Sequence, residues 1–205
     1  MKTNKEIITE VTFLLALKNG FDGVSIKEIQ KASGVSAGSI YYHFKDKNEI
    51  LFHMVNEYLI ENFYKYGDSI KSSNYSFIEK VENIFYYLLS FNKKDFQSLN
   101  GSVLQERENI EYFGLFSSIF HHHPETRPLF YKLHEESYKF YKGLVDDAIE
   151  KKEINEGVDA RRFTIFIHTI FKGYIDLCVF HPELSIEELV EANLRIIEDV
   201  IKSPN

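Results

Sequence analysis

The chain has 205 residues, of which 44% are hydrophobic and 27% charged, a folded-protein composition that excludes a disordered chain. No apolar run of about 18 residues is free of charge, because Phe163 to Phe180 is broken by His168, Lys172 and Asp176, so a membrane partner is excluded. The formal net charge of −7 is unevenly spread. Residues 1–47 hold seven lysines against five acids, out of 24 basic and 31 acidic residues in all, which leaves 17 against 26 in the remainder. A slightly basic head therefore precedes an acidic body that carries 26 of the 31 Phe and Tyr. Such asymmetry points the head toward an anionic partner. The single cysteine, Cys178, permits no internal disulfide, and the N-terminus lacks a basic-then-apolar leader, so the expected location is the cytoplasm.

Four prolines, ten glycines and little apolar–polar alternation predict an all-α fold. In chain order, helix one is expected from about Thr3 to Asn19, with Ile8, Val11, Leu14, Leu15 and Ala16 on or near its buried face, ending at Gly20. Capping oxygens three residues before a glutamate, at Ser25/Glu28, Asp46/Glu49, Ser76/Glu79 and Ser185/Glu188, mark four helix starts. Helix two runs from Ser25 to about Ala32, and Ser36 caps a short third helix reaching Phe44. Asp46 opens a long fourth helix to about Tyr66 or Ile70, with Ile50, Leu51, Met54, Val55, Tyr58 and Leu59 inward. Further helices are expected near 75–91, 101–121 and 127–153, then from Asp159 to before Pro182, and over 185–202. That makes about nine in total, divided into a head at 1–47 and a body at 48–205.

Residues 25–44, SIKEIQKASGVSAGSIYYHF, spell two short helices around a glycine turn, the helix-turn-helix pattern whose second helix enters the DNA major groove. Ile26, Ile29, Val35, Ile40 and Phe44 supply its core and Gly38 allows a close approach, which leaves Ala37, Ser39, Tyr42 and His43 outward. Ser25 and Ser36 stand at helix N-termini, where free N–H groups favour phosphate, and Lys45 and Lys47 flank the next helix. With Asn19-Gly20-Phe21, Ser33-Gly34-Val35-Ser36 and the Tyr41-Tyr42-His43-Phe44 run ahead of Lys47 and Glu49, the stretch 5–51 resembles the DNA-binding domain of TetR/AcrR-type regulators. The resemblance implies phosphate contacts by Ser25, Ser36, Tyr42, His43 and Lys47, and base or sugar contacts by Ala37, Gly38, Ser39 and Tyr41. Ala37 departs from the Lys or Arg frequent in the family, so one charged contact is missing.

The aromatic body suits a small hydrophobic effector between helices, and Phe85, Leu89, Phe113, Phe116, Phe120, Tyr138, Phe166, His168, Phe171 and Tyr174 are its candidate lining. Thr164, His168, Lys172 and Asp176 form a polar stripe one turn apart on an otherwise apolar helix. Phe163, Ile167, Ile170, Leu194, Ile197 and Ile201 are candidates for a homodimer interface. His121, His122 and His123 are consecutive, point in different directions and cannot converge on one ion, so a solvated helix end and no metal is expected. No G-x-S-x-G elbow, phosphate-cradling loop or H-E-x-x-H is present, and neither a cofactor nor catalysis is expected. The reading is a DNA-binding regulator, dimeric on a near-palindromic operator and released by a small hydrophobic or aromatic ligand. A ligand-independent regulator or activator, a lipophile-binding module with a vestigial head, and an enzyme on a helical scaffold stay open as alternatives.

Overall fold

The computed structural model describes residues 2–89, 106–181 and 183–202, without the side chains of residues 89, 106–110 and 179. Regular structure among the described residues is helical: α1 Asn4–Asn19, α2 Ile26–Ser33, α3 Ala37–His43, α4 Lys47–Val55, a π-helical stretch Asn56–Glu61, α5 Asn62–Ser72, α6 Phe77–Leu89, α7 Glu106–His122, a 3₁₀ turn Pro124–Thr126, α8 Arg127–Glu150, α9 Ala160–Phe180 and α10 Ile186–Lys202. With 47–72 counted as one helix, nine helices stand among the described residues. The expected 92–95 linker and the start of the helix expected at 101 lie outside them.

The caps explain where the helices begin. Glu28 N–H donates to Ser25 Oγ (3.2 Å) and the Glu28 carboxylate accepts from Ser25 N–H (2.7 Å), a reciprocal box that Ser76 and Glu79 repeat. Thr3 and Glu6 form the same box on α1, a start signal of identical spacing that the sequence reading passes over. At Asp46 only half the box forms: Glu49 N–H donates to Asp46 Oδ1 (2.9 Å), while the Glu49 carboxylate accepts from Lys45 N–H (2.6 Å). Gly34 ends α2 at φ 69° and ψ 3°, the left-handed conformation expected of it; Gly20 has φ 70° but ψ 154°, a region close to glycine-only.

Among the described residues the chain forms two compact units, the first within 2–66 and 110–133, the second within 67–89, 106–109, 134–181 and 183–202. In the first unit α1 packs on α2, α3 and α4. Its buried face is Ile8, Thr9, Thr12, Phe13, Ala16 and Leu17, with Val11 and Leu15 half-buried beside it, whereas Leu14 is exposed, contrary to expectation. Two threonines obscure the apolar period, and they are tolerated because their hydroxyls donate back to Lys5 O (2.9 Å) and Ile8 O (2.7 Å). Phe13 lies flat on Tyr58, ring centroids 4.0 Å apart, with Tyr112 and Phe116 around it.

The long helix after Asp46 runs to Ser72 but widens at 56–61. The Tyr112 hydroxyl donates to Tyr58 O (2.6 Å) and Asn62 Nδ2 to the same oxygen (2.9 Å), so that carbonyl is taken by side chains. Asn56 Nδ2 reaches Glu61 Oε1 (2.9 Å), five residues on. The wider turn buries Ile60 in place of the expected Leu59, which is half-buried.

In the second unit α6, α9 and α10 pack together, with Phe77, Val81, Phe85, Phe163, Ile167, Phe171, Leu189 and Ile197 buried. Lys80, 4% exposed, is held 3.6 Å from Asp147 Oδ2. Asp159 caps α9 by accepting from Arg162 N–H (2.9 Å).

Candidate functional site

Helix α3 is short, and its inner face is spent on Ile40 and Phe44, 0% and 1% exposed. Ser36 caps it, accepting from Ser39 N–H at 3.2 Å. What remains faces solvent. Tyr42 is 84% exposed and Tyr41 57%, so neither ring serves the core; the His43 ring stands edge-on to Tyr42 at 5.1 Å. A Cβ on Gly38 would meet nothing within 4 Å, so this glycine clears space outside the protein rather than within it. Ser25, Ser36 and Lys45 are exposed, and Ala37 and Ser39 half-buried. Ser39 Oγ accepts from Asn4 Nδ2 (3.2 Å), which ties the first turn of α1 to the outer face of α3.

Lys47 is placed differently from its neighbours. It is half-buried, with its ammonium 4.4 Å from the centre of the Phe21 ring and donating to Asp22 O (3.3 Å), and burial lowers its pKa. The turn it grips is held from a second side. His123 Nε2 lies 3.1 Å from Asp22 Oδ1, its Nδ1 3.4 Å from Glu125 Oε1, and its ring edge-on to Phe21 at 5.3 Å. The solvated helix end expected for all three histidines holds for exposed His121 and His122; the His123 side chain is 14% exposed and built into the first unit. The reading also missed Lys27 and Lys31, exposed one turn apart on α2, which line a recess of about 540 Å³ with Gln30, Gly34, Val35 and Ser36. Their four-residue spacing beside the turn was the available signal.

The effector candidates fall into two groups. Phe113, Phe116 and Phe120 belong to the first unit, where Phe116 is buried against Tyr112 at 4.7 Å and Phe113 and Phe120 are half-buried. In the second unit Phe85 meets Phe171 at 4.6 Å and Tyr174 at 4.8 Å, all three buried, while Tyr138, Phe166 and His168 are half-buried. The Leu89 side chain lies outside the described residues.

Of the dimer-interface candidates, Phe163, Ile167, Ile197 and Ile201 are 0–5% exposed inside a single chain, and Ile170 and Leu194 are half-buried. An apolar period on α9 and α10 marks the protomer's own core as readily as an interface. The exposed apolar residues of those helices are Ile165, Leu177, Phe180 and Ile196. Burial pushes the Cys178 thiol up to about 11, which keeps it protonated and unreactive at neutral pH. No described helix is long and apolar enough to cross a membrane.

Residues 8–54 match the family described as bacterial regulatory proteins, tetR family. An HTH-type transcriptional regulator of Staphylococcus aureus strain MRSA252 is 23% identical over 167 residues, 80% of this chain and 87% of that protein. The crystal structure of a TetR transcription regulator from Haloarcula marismortui superposes with a TM-score of 0.70 at 18% identity, covering 97% of this chain and 96% of that one. That of the transcriptional regulator FadR from Bacillus subtilis, in complex with stearoyl-CoA, gives a TM-score of 0.61 at 19% identity and covers 97% and 98%. The capped α2–turn–α3 unit with its two outward tyrosines lies within the matched residues 8–54, so this part of the chain matches the DNA-binding domain of the tetR family, and the chain as a whole is similar to HTH-type transcriptional regulators.

Proposed function

We propose that the protein is a cytoplasmic homodimeric repressor that holds a near-palindromic operator and releases it when a small, largely apolar effector binds the helical body. The observation that carries the DNA-reading part is the exposure of Tyr41 and Tyr42 on a helix whose core positions are already filled. Ser25, Ser36, Tyr42, His43 and Lys45 would take phosphates, and Ala37, Gly38, Ser39 and Tyr41 the groove. Lys47 would join the phosphate contacts by leaving the Phe21 ring. One short helix reads only a few base pairs, so specificity calls for two heads about one helical turn, roughly 34–36 Å, apart. The exposed apolar residues Ile165, Leu177, Phe180 and Ile196 give a second copy a surface to cover. The effector reading is supported by the aromatic interior and by the stearoyl-CoA bound to the similarly folded Bacillus subtilis regulator. Fluorescence anisotropy on the DNA flanking the protein's own gene, with and without ligands selected by thermal shift, tests it. Binding that every stabilising ligand leaves unchanged would falsify the release step.

A further inference from the structure

One polar cluster in the second unit has no part in its packing. His168 on α9 stands against two rings of α8, Tyr141 at 5.2 Å and Tyr138 at 6.5 Å, yet its Nε2 is buried without a hydrogen-bond partner. Lys172, one turn after His168, acts electrostatically on it and on His134, which lies one turn before Tyr138 and is acted on by His168 as well. Burial lowers the pKa of both imidazoles and of the Lys172 ammonium, and His134 and Lys172 remain solvent-accessible. From His168 a row of rings leads inward, Tyr141 stacking on Phe171 at 5.1 Å and Phe171 meeting Phe85 at 4.6 Å. Beyond them Tyr174, 1% exposed, keeps a buried hydroxyl with no partner. Buried polar atoms are almost always paired, so two orphans at the ends of one aromatic row ask for a ligand.

The charge of the cluster selects its sign. Lys172 acts on both imidazoles and His168 acts on His134, all cationic or able to become so, while Asp176 acts on Lys172. We propose that His134, His168 and Lys172 form the head-group subsite for a carboxylate-bearing amphiphile whose apolar part lies along the Tyr141 and Phe171 rings. The inference rests on the reading that this unit takes a small effector, and it names the class. The carboxylate accepts hydrogen bonds from Lys172 Nζ and His168 Nε2–H, and its charge favours protonation of an imidazole, so binding in mildly acid solution takes a proton from the buffer.

Calorimetric titration of the full-length protein at about pH 6 with octanoate and phenylbutyrate, against octanol, phenylbutanol and octylamine, in buffers of low and high ionisation enthalpy, tests this. The acids should bind at least about tenfold more tightly than the matched alcohols, with net proton uptake, and octylamine should not bind. Lys172→Met, at a solvent-accessible position that keeps the fold, should lose about tenfold for the acids and nothing for the alcohols. His168→Phe, which keeps a ring between Tyr138 and Tyr141, should diminish proton uptake. Alcohols that match the acids, binding without proton uptake, or no binding by either acid would each overturn the subsite. An acid that binds as described yet leaves operator affinity unchanged keeps the subsite and defeats the release mechanism. Octanol that releases operator as well as octanoate does the reverse.

Discussion

Tyr42 presents 84% of its surface to solvent, so its contribution to folding is small and any role it has lies outside the protein. Tyr42→Ala should leave the melting temperature unchanged and weaken binding to operator and scrambled duplex alike, whereas Ser39→Ala should change which sequences bind; anisotropy on both duplexes separates the two. Lys47→Ala should lower the slope of log affinity against log salt by about one unit per subunit. It also removes the cation from the Phe21 ring and the bond to Asp22 O, so its melting temperature should fall where that of Lys45→Ala does not. A slope unchanged by Lys47→Ala would mean that this lysine never leaves its internal site. His123 holds the same turn from the other side. His123→Phe keeps the edge-on contact with Phe21 and drops both carboxylates, so in calorimetry it should lose less stability than His123→Ala, which empties a site 14% exposed at a cost of about 1–3 kcal/mol.

Helix starts were legible because they are local. Ser25, Asp46 and Ser76 announce themselves by one residue type and one spacing, and the structure places a bond on each. The face that a helix buries is legible only while its pitch stays regular and its core stays apolar. Thr9 and Thr12 broke the second condition in α1, since hydroxyls bonded to their own helix pass into a core that sequence patterns reserve for hydrocarbons. The π-helical stretch broke the first: at ordinary pitch Leu59 follows Val55 inward, but the Tyr112 hydroxyl on Tyr58 O opens the turn and Ile60 takes the place. Tyr112→Phe keeps the ring packed on Phe116 and removes that hydroxyl, which should destabilise the protein by about 1–2 kcal/mol in urea unfolding. Unchanged stability would show that Asn62 holds the turn unaided.

At the scale of the whole molecule, the regulator class was legible from one quarter of the chain, and the body was not. Burial within one chain and burial between two produce the same apolar period, which is why Ile197, at 0% exposure, read as interface while exposed Ile196 did not. The two positions now make opposite predictions. Ile196→Asp should yield a folded protein of half the mass by light scattering, whereas Ile197→Asp buries an unpaired charge and should unfold the chain. A dimer that survives Ile196→Asp and Phe180→Asp together would move the interface elsewhere. Acid should weaken the fold in a definite window. The neutral imidazoles of His134 and His168 lie below their ordinary pKa of 6.5 in the folded chain, His134 at about 4, so between these values the unfolded chain holds more protons. Stability therefore rises with pH across that interval and is lost on acidification from 6.5 toward 4. Urea midpoints measured across it should fall less steeply for the paired His134→Gln and His168→Gln variant.

The widened turn at 56–61 also bears on how this chain tolerates changes in length. A π-helical turn holds one residue more than an α-turn between flanks that keep their phase, which is the mark a single inserted residue leaves when both flanks stay packed. Deleting half-buried Leu59 should therefore close the turn to ordinary pitch and leave the core residues on either side facing as before. The same deletion among residues 47–55 would turn every later side chain of the helix by about 100° and carry the core face to solvent. Natural relatives one residue shorter here would thus be expected to have lost that residue between 56 and 61, and an alignment gap placed anywhere else in 47–72 would misassign the inward face of half the helix.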